Sequence, residues 1–354
     1  MAASAPSRPR RIGEFDFLDA VQRLVEGSGA IARLGRGVAV GIGDDCAVVA
    51  GAPRTLLTTD CQIEGVHFRR GWLTARELGV RAFRVAVSDI AAMGGRPEYV
   101  LLSLEIPVAS KRSPFDSEAA KAIVRGLARE ASRCGASLVG GNVSAARDLG
   151  VNVTVVGQAR RRAVLRSGAR VGDLLFVTGS FGGAGAALRV LERARSGAAL
   201  IAAAVSSTTL AYRRPPLRVE LGAQLAEAGL VHAMIDVSDG LIQDLGHLCE
   251  RSKVTIRLDH RAVPLHPSAR RAAADLDLGG AVNPRVSSAL TGGEDYELAF
   301  TAAKRSRADI ERVAARLGCR VTMVGNVAEG AAHVVDSSGR TLAALGGGFD
   351  HLRW

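Results

Sequence analysis

The stretch Met234-Ile235-Asp236-Val237-Ser238-Asp239-Gly240-Leu241-Ile242-Gln243-Asp244-Leu245-Gly246-His247-Leu248 is mostly apolar, yet three aspartates fall within nine of its positions. Its start continues the apolar run Val231–Ile235, which reads as a strand. From Leu241 to Arg251 apolar residues recur at helical spacing, so a helix is expected there. The two elements meet at Ser-Asp-Gly, which places carboxylates at the seam between a buried strand and a helix. Asp239, just before Gly240-Leu241, fits a helix N-cap. A buried carboxylate without a partner is strongly destabilising, so the others need an explanation of their own.

The same context recurs along the chain: Gly41-Ile42-Gly43-Asp44-Asp45, Thr58-Thr59-Asp60, Ser88-Asp89 and Gly292-Gly293-Glu294-Asp295. Each acid sits beside apolar or glycine residues and is expected at a turn or element end. Taken singly, a cap or an Asx turn is the better reading of each. Taken together, five such clusters point to a shared partner. No arginine lies within two positions of these aspartates. Divalent metal is the other solution: magnesium takes hard oxygen ligands, and ions held by carboxylates favour phosphate as a further ligand.

Outward from these motifs, 354 residues suggest two domains. The fold class expected is α/β (α+β), with mixed sheets packed against helices. At 47% hydrophobic and 4% aromatic, a large core must be filled by Ala, Val and Leu. An amphipathic helix is expected around Phe17–Val25 and strands at Ala47–Ala50 and Thr55–Thr59. A long apolar helix opens at the capping box Thr74-Ala75-Arg76-Glu77 and runs through Ser88-Asp89 to Met93. Strand Tyr99–Ile106, helix Ser117–Cys134, strands at Leu138-Val139 and Val151–Val156 follow, with a turn at Gly140-Gly141-Asn142. The pattern restarts near residue 158 with strand Leu174–Thr178, a Gly-rich turn and a helix near Ala186–Ala194. Strands at Val254–Leu258 and Arg320–Val324 and a helix at Ala308–Leu317 complete it. The expected division is a leader, 1–11; an N-terminal domain, 12–157; and a C-terminal domain, 158–354.

Net charge is +11, carried mostly by arginine. No aromatic–basic interleaving, zinc spacing or RNA-motif signature accompanies it, so a nucleic-acid partner is not expected. The charge does favour anionic ligands such as nucleotides. Five scattered cysteines with no C-x-x-C fit free thiols in a reducing compartment. No apolar run approaches the length of a membrane span, and the start lacks a secretory h-region. A cytoplasmic protein without a membrane partner is expected. There is no Walker A Gly-Lys, no H-E-x-x-H and no G-x-S-x-G. The loop Gly183-Ala184-Gly185-Ala186-Ala187-Leu188 partly fits a dinucleotide fingerprint, but Leu188 takes the third glycine's place, and close helix–strand packing explains it equally well.

GIGDDCAVV, TTDCQIEGVHF, VSDIAAMGGRPEYVLLSL, GGNVS, SGARVGD, IDVSDGLIQDLGHL and TGGEDYELAFT, in this order, resemble the thiamine-monophosphate kinase family, within the aminoimidazole-ribonucleotide-synthetase-like (PurM-like) superfamily. The resemblance runs from about Gly13 to Gly348-Phe349-Asp350-His351. It implies two α/β domains per chain, a homodimer formed through the N-terminal-domain sheets, and magnesium-dependent direct transfer of the ATP γ-phosphate to thiamine phosphate. It implies several Mg²⁺ ions on Asp45, Thr58, Thr59, Asp60, Asp89, Asn142, Asp236 and Asp239. Catalysis would then run through metal-bound Asp45, Asp60, Asp89 and Asp239, with no general base or nucleophile. Nucleotide contacts would come from Gly141, Asn142, Arg166 and Ser238, and the thiamine-phosphate pocket from His67, Glu294 and Phe349. The family often has Asp where this chain has Asn142, which would lower the negative charge of one metal site by one. Backbone N–H groups at the start of the Asp239 helix are expected to face phosphate. The alternatives are another ATP-dependent enzyme of the superfamily or a non-catalytic nucleotide or thiamine-phosphate sensor.

Overall fold

A computed structural model describes residues 38–40, 44–49, 54–107, 117–194, 197–272 and 290–342. The leader, the helix expected around Phe17–Val25 and Phe349 lie outside the described residues.

The first sheet is built on two-residue alternation. In β3 (Arg54–Ile63), Leu56, Thr58, Asp60 and Gln62 share one face with the buried Val151, Val153 and Val155 of β6 (Gly150–Ala159). Leu57, Thr59, Cys61 and Ile63 share the other. The strand order is β1 (Val38–Val40), β2 (Ala47–Val49), β3, β6, β4 (Arg96–Pro107), β5 (Ser137–Ala146). All pairs are antiparallel except β4–β5.

Helix α1 (Ala75–Ala92) lies on the inner face. Its start is fixed by the expected capping box: the Glu77 N–H donates to Thr74 Oγ1 at 3.2 Å, and the Thr74 N–H donates to Glu77 Oε2 at 3.0 Å. Helix α2 (Ser117–Arg133) packs on it so closely that a Cβ at Gly79 would lie 2.0 Å from the Ile123 carbonyl oxygen, and one at Gly126 would lie 2.1 Å from that of Arg76. Glycine at both crossing points lets the backbones touch.

The second sheet runs β12 (Val334–Val335), β9 (Thr255–Leu258), β11 (Val321–Ala328), β7 (Leu174–Thr178), β10 (Glu297–Ala302), β8 (Ala233–Val237). Helices α3 (Gly183–Arg193), α4 (Gly197–Val205), α5 (Leu210–Arg213) and α6 (Val219–Glu227) follow β7; α7 (Leu241–Ser252) follows β8, α8 (Pro267–Ala272) follows β9, and α9 (Arg307–Arg316) precedes β11. Helix α1 touches this sheet too, at β8 and β10, and also α6. One apolar core therefore runs from Leu56 and Val153 through Ile90 to Met234 and Phe300. A second lies beyond, between α7 and the far face of the second sheet. Helix α1 is therefore buried on most of its circumference, its charged Arg81 and Arg84 included, because it is covered on both sides.

Three local expectations are corrected. The Gly140-Gly141-Asn142 segment is not a turn but the middle of β5, extended alongside β4. The strand before α7 reaches Val237, so Asp236 lies inside it, and Asp60 likewise sits within β3 rather than just beyond its end. Strand β10, buried throughout, is absent from the sequence-based expectation.

Candidate active site

Asp236 alternates with Met234 toward α1, while Ala233, Ile235 and Val237 face α7. That alternation carries a carboxylate into the seam between the two halves. There it meets Asp89, one helical turn before the end of α1, and Asp45, just before β2. Carboxylate oxygens of Asp45, Asp89 and Asp236 all lie within 4.8 Å of one another. Thr58, on the inner face of β3, donates its hydroxyl to Asp89 Oδ2. The cation nearest this group is Arg166, which reaches Asp45 with two donors, Nη2 to Oδ1 at 2.5 Å and Nε to Oδ2 at 3.2 Å. Its backbone N–H donates to Asp44 Oδ2 at 3.2 Å.

One guanidinium does not neutralise so many acids. Burial, then repulsion from Asp236 and Asp45, push the Asp89 carboxyl well above its ordinary range. Burial, then Asp45, raise Asp236 to about 8. Burial, then Asp45, raise Asp44 to about 6. A cluster of this kind carries protons until a cation replaces them. The donors are all hard oxygens, and they are close enough to share ions. The set fits magnesium, with Asp45, Asp89 and Asp236 as the residues that would hold it.

Beside the cluster lies a cavity of about 340 Å³, lined by Asp60, Gln62, His67 and Trp72 from the first half and by Ser238, Asp239, Glu294 and Tyr296 from the second. Asp60 points into it from the inner face of β3. Asp239 borders it at the turn before α7, with Ser238 Oγ 3.4 Å from its Oδ1 and Gln243 Nε2 3.3 Å from its Oδ2. Asp239 does not cap α7. Asp244, from within the helix, holds the preceding turn instead: its Oδ2 accepts the backbone N–H groups of both Asp239 and Gly240 at 3.1 Å. Those two N–H groups are therefore taken by Asp244, which leaves those of the first helical turn, from Leu241 on, as the ones a phosphate could meet. Asp236, Asp239 and Asp244 thus have three roles: one in the seam, one on the cavity, one holding the turn between them.

Glu294 reaches the cavity on unusual backbone. Glu294 and Tyr296 have φ of 73° and 48°, in the left-handed region that non-glycine residues rarely occupy. Between them Asp295 is buried, and its two oxygens accept the Gly182 N–H at 3.0 and 2.9 Å, at the N-terminus of α3. The helix start that could have served a dinucleotide is occupied by this side chain. Beneath the cavity, fully buried Arg81 of α1 donates Nε to Gln62 Oε1 at 2.9 Å, Nη1 to the Tyr212 carbonyl at 2.6 Å, and Nη2 to Glu294 Oε2. Burial alone would lower the Arg81 pKa; Glu294, Tyr212 and Tyr296 more than offset it.

The structure thus brings together Asp45, Thr58, Asp60, Asp89, Arg166, Asp236, Ser238, Asp239, His67 and Glu294. Two others it does not. Thr59 points to the outer face, where its hydroxyl meets that of Thr154 at 3.1 Å, because neighbours in a strand face opposite ways. Asn142 is exposed on the edge strand β5, in register with Ser103 on that same outer face. Gly141, beside it on the same exposed edge strand, runs so close to β4 that a Cβ there would lie 1.8 Å from the Leu102 carbonyl oxygen, so the strand pairing itself calls for a glycine. Sequence reasoning passed over Arg81, Gln62, Trp72, Tyr212 and Tyr296. For Arg81 a signal existed: a charge at a position of the helix flanked by the apolar Leu78, Ala82 and Val85 at helical spacing.

Two family models match the chain: AIR synthase related protein, N-terminal domain, over residues 43–159, and the C-terminal domain of the same family over 170–337. A thiamine-monophosphate kinase of Mycobacterium tuberculosis is 37% identical over 84% of this chain and 83% of its own length. One from Haemophilus influenzae is 31% identical over 97% and 98%. The chain belongs to the thiamine-monophosphate kinase family. A solved structure described as AaThiL complexed with AMPPCP and TMP superposes with a TM-score of 0.79 at 29% identity, covering 98% of this chain and all of that one. The thiamine-monophosphate kinase resemblance read from the seven motifs is thereby established, as is the α/β fold of two such domains with mixed sheets. Among the described residues no helix is long and apolar enough to cross a membrane.

Proposed function

We propose that this protein is a thiamine-monophosphate kinase, transferring the ATP γ-phosphate directly to the phosphate of thiamine phosphate, with thiamine diphosphate and ADP as products. The observation that carries this reading is the junction of the carboxylate cluster with a cavity large enough for an organic phosphate, in a chain whose relatives over most of its length bear that name. The acceptor is a phosphate oxygen that is already ionised at neutral pH. No base is needed to activate it, which agrees with a site whose described residues are rich in acids and include no His–Ser or His–Cys pair. Asp45, Asp89 and Asp236, with Asp60 and Asp239 toward the cavity, would hold magnesium. When bound, magnesium offsets the repulsion between the two anionic reactants and the charge that develops during transfer. Arg166 has the reach to meet a nucleotide phosphate once Asp45 is engaged elsewhere. His67 and Glu294 face the organic part of the acceptor, and the buried walls beneath exclude water. Residues 12–157 would supply most metal and dimer contacts, and 158–354 would complete the nucleotide and acceptor sites.

A homodimer is part of the proposal. The outer face of the first sheet leaves Leu57 and Ile63 of β3 and Tyr99 and Leu101 of β4, on either side of β6, 36–51% exposed, a face suited to a second copy. Thr59 and Asn142 lie on that side, so in the dimer their polar groups would contact the partner or the space beside it rather than the carboxylate cluster.

Purified protein should release ADP with thiamine phosphate and not with unphosphorylated thiamine, and only with a divalent cation. ATP labelled in its γ-phosphate should pass the label to thiamine diphosphate with none retained on protein. Nucleotide and thiamine-phosphate binding without ADP release would support a sensor and overturn the kinase reading.

A further inference from the structure

We infer that Arg81 is a positioning residue for the acceptor pocket: from beneath the cavity it fixes the Glu294 carboxylate in the wall, and so governs affinity for the acceptor and not the transfer step. This rests on the proposed function, because the acceptor probed is thiamine phosphate.

A guanidinium buried to 0% exposure is tolerated only when its donors find partners. Those of Arg81 have a consistent destination. Gln62 and Glu294 line the cavity, and Tyr212, whose carbonyl it also binds, places its ring 4.1 Å below the guanidinium carbon. Tyr212 in turn donates its hydroxyl to the His67 carbonyl and meets Trp72 edge-to-face at 6.0 Å, and both residues line the same cavity. Arg81 thus joins β3, α1, α5 and the segment before β10, which come from both halves of the chain.

Glu294 needs this restraint more than an ordinary wall residue. Its backbone is left-handed at φ 73°, as is that of Tyr296 at 48°. Asp295 anchors the intervening peptide to the start of α3, and the Glu294 N–H donates to the Ser238 carbonyl at 2.6 Å. The backbone is pinned at two points, but the side chain is oriented by Arg81. With one oxygen bonded to Arg81 and the side chain 23% exposed, Glu294 is placed to accept from a cationic or N–H-bearing ligand. Its charge is balanced by Arg81, so it does not repel the acceptor's phosphate. The three hydrogen bonds that Arg81 donates go to Gln62, Tyr212 and Glu294, outside the Asp45–Asp89–Asp236 cluster.

The test is a double-mutant cycle on the full-length chain with Mg²⁺ and ATP. Arg81→Met should raise KM for thiamine phosphate roughly 10- to 100-fold while KM for ATP and kcat stay within about threefold, the loss expected for one charge-assisted contact. Arg81→Lys, which keeps the charge and loses the fork, should fall between wild type and Arg81→Met. Glu294→Gln should raise the same KM, and Arg81→Met/Glu294→Gln should be no worse than the more severe single variant. Additive single effects, or equal changes in kcat and both KM values, would overturn the inference. So would an Arg81→Met protein of lowered melting temperature and unchanged KM. If Arg81→Met does not fold, the cycle with Arg81→Lys decides on the same criterion. Absence of turnover in the wild type would instead count against the kinase reading. Even then, thiamine-phosphate binding by titration calorimetry would test Arg81, with the same pattern expected in Kd.

Discussion

Asp236→Asn tests the physical basis of the acidic seam. Burial, followed by the neighbouring Asp45 charge, raises the Asp236 carboxyl from 3.8 to about 8. The folded chain therefore retains a proton that the unfolded chain has lost between about pH 4 and pH 8. A group of this sign withdraws stability as pH rises through that window and restores it as pH falls. A shift of about four units corresponds to at most ~5 kcal/mol against the ionised folded form. Asp89, in the same cluster, is raised as well, so the penalty is shared and ~2 kcal/mol is the fraction taken for one site. Asparagine keeps the shape and cannot ionise. With chelator present, wild type and Asp236→Asn should melt together near pH 5. Near pH 8.5 the variant should be more stable by ~2 kcal/mol, which is roughly 3 °C in melting temperature. Magnesium should raise the wild-type melting temperature at pH 8.5 and raise that of the variant less. Turnover of the variant should fall by several orders of magnitude. Parallel pH profiles of stability for the two proteins would refute the claim that Asp236 carries uncompensated charge in the folded state, even if the variant were inactive.

Three further outcomes follow from the same geometry. Magnesium binding near pH 7 should release protons, because Asp236 and Asp44 are raised to about 8 and about 6; the calorimetric heat should therefore change with the ionisation enthalpy of the buffer, and buffer-independent heats would argue against occupied carboxyl protons. Asp244→Ala removes the acceptor for two backbone N–H groups and should lower stability by about 1–3 kcal/mol in chemical denaturation while also reducing turnover, since the turn that carries Asp239 loses its anchor; unchanged turnover would separate the cap from the site. Gly141→Ala would put a Cβ 1.8 Å from the Leu102 carbonyl oxygen and should give a protein of markedly lowered melting temperature, whereas a stable protein with raised KM for ATP alone would show that this glycine serves the nucleotide rather than the strand pair.

The parts of the site legible in the sequence are those that obey a local period or a local cap. The capping box at Thr74 fixed the start of α1, and the apolar run beyond it fixed the length, so Asp89 could be placed on a buried helix. The strand and helix around Asp236 were legible for the same reason. The partners were not, because pairing across the seam is decided by topology. Arg166 lies 121 positions from Asp45, and Arg81 lies 213 from Glu294. No arginine stands beside the aspartates in sequence, yet the fold brings Arg166 to Asp45 and Arg81 to Glu294 and leaves Asp89 and Asp236 to share the seam. The same limit explains the two residues that fell on the wrong side. Thr59 differs from Thr58 by one position, which in a helix would leave them neighbours but in a strand sends them to opposite faces. Asn142 follows a glycine pair that reads as a turn in isolation; β4 offers it a free edge, and parallel pairing extends it instead. Motif order carried the identity of the site, but only the register of the strands determines which atoms of each motif face inward. A metal-ligand assignment made motif by motif will therefore be most secure for acids on helices or on the buried face of β3, and least secure for polar residues whose neighbours in the strand are already facing the core.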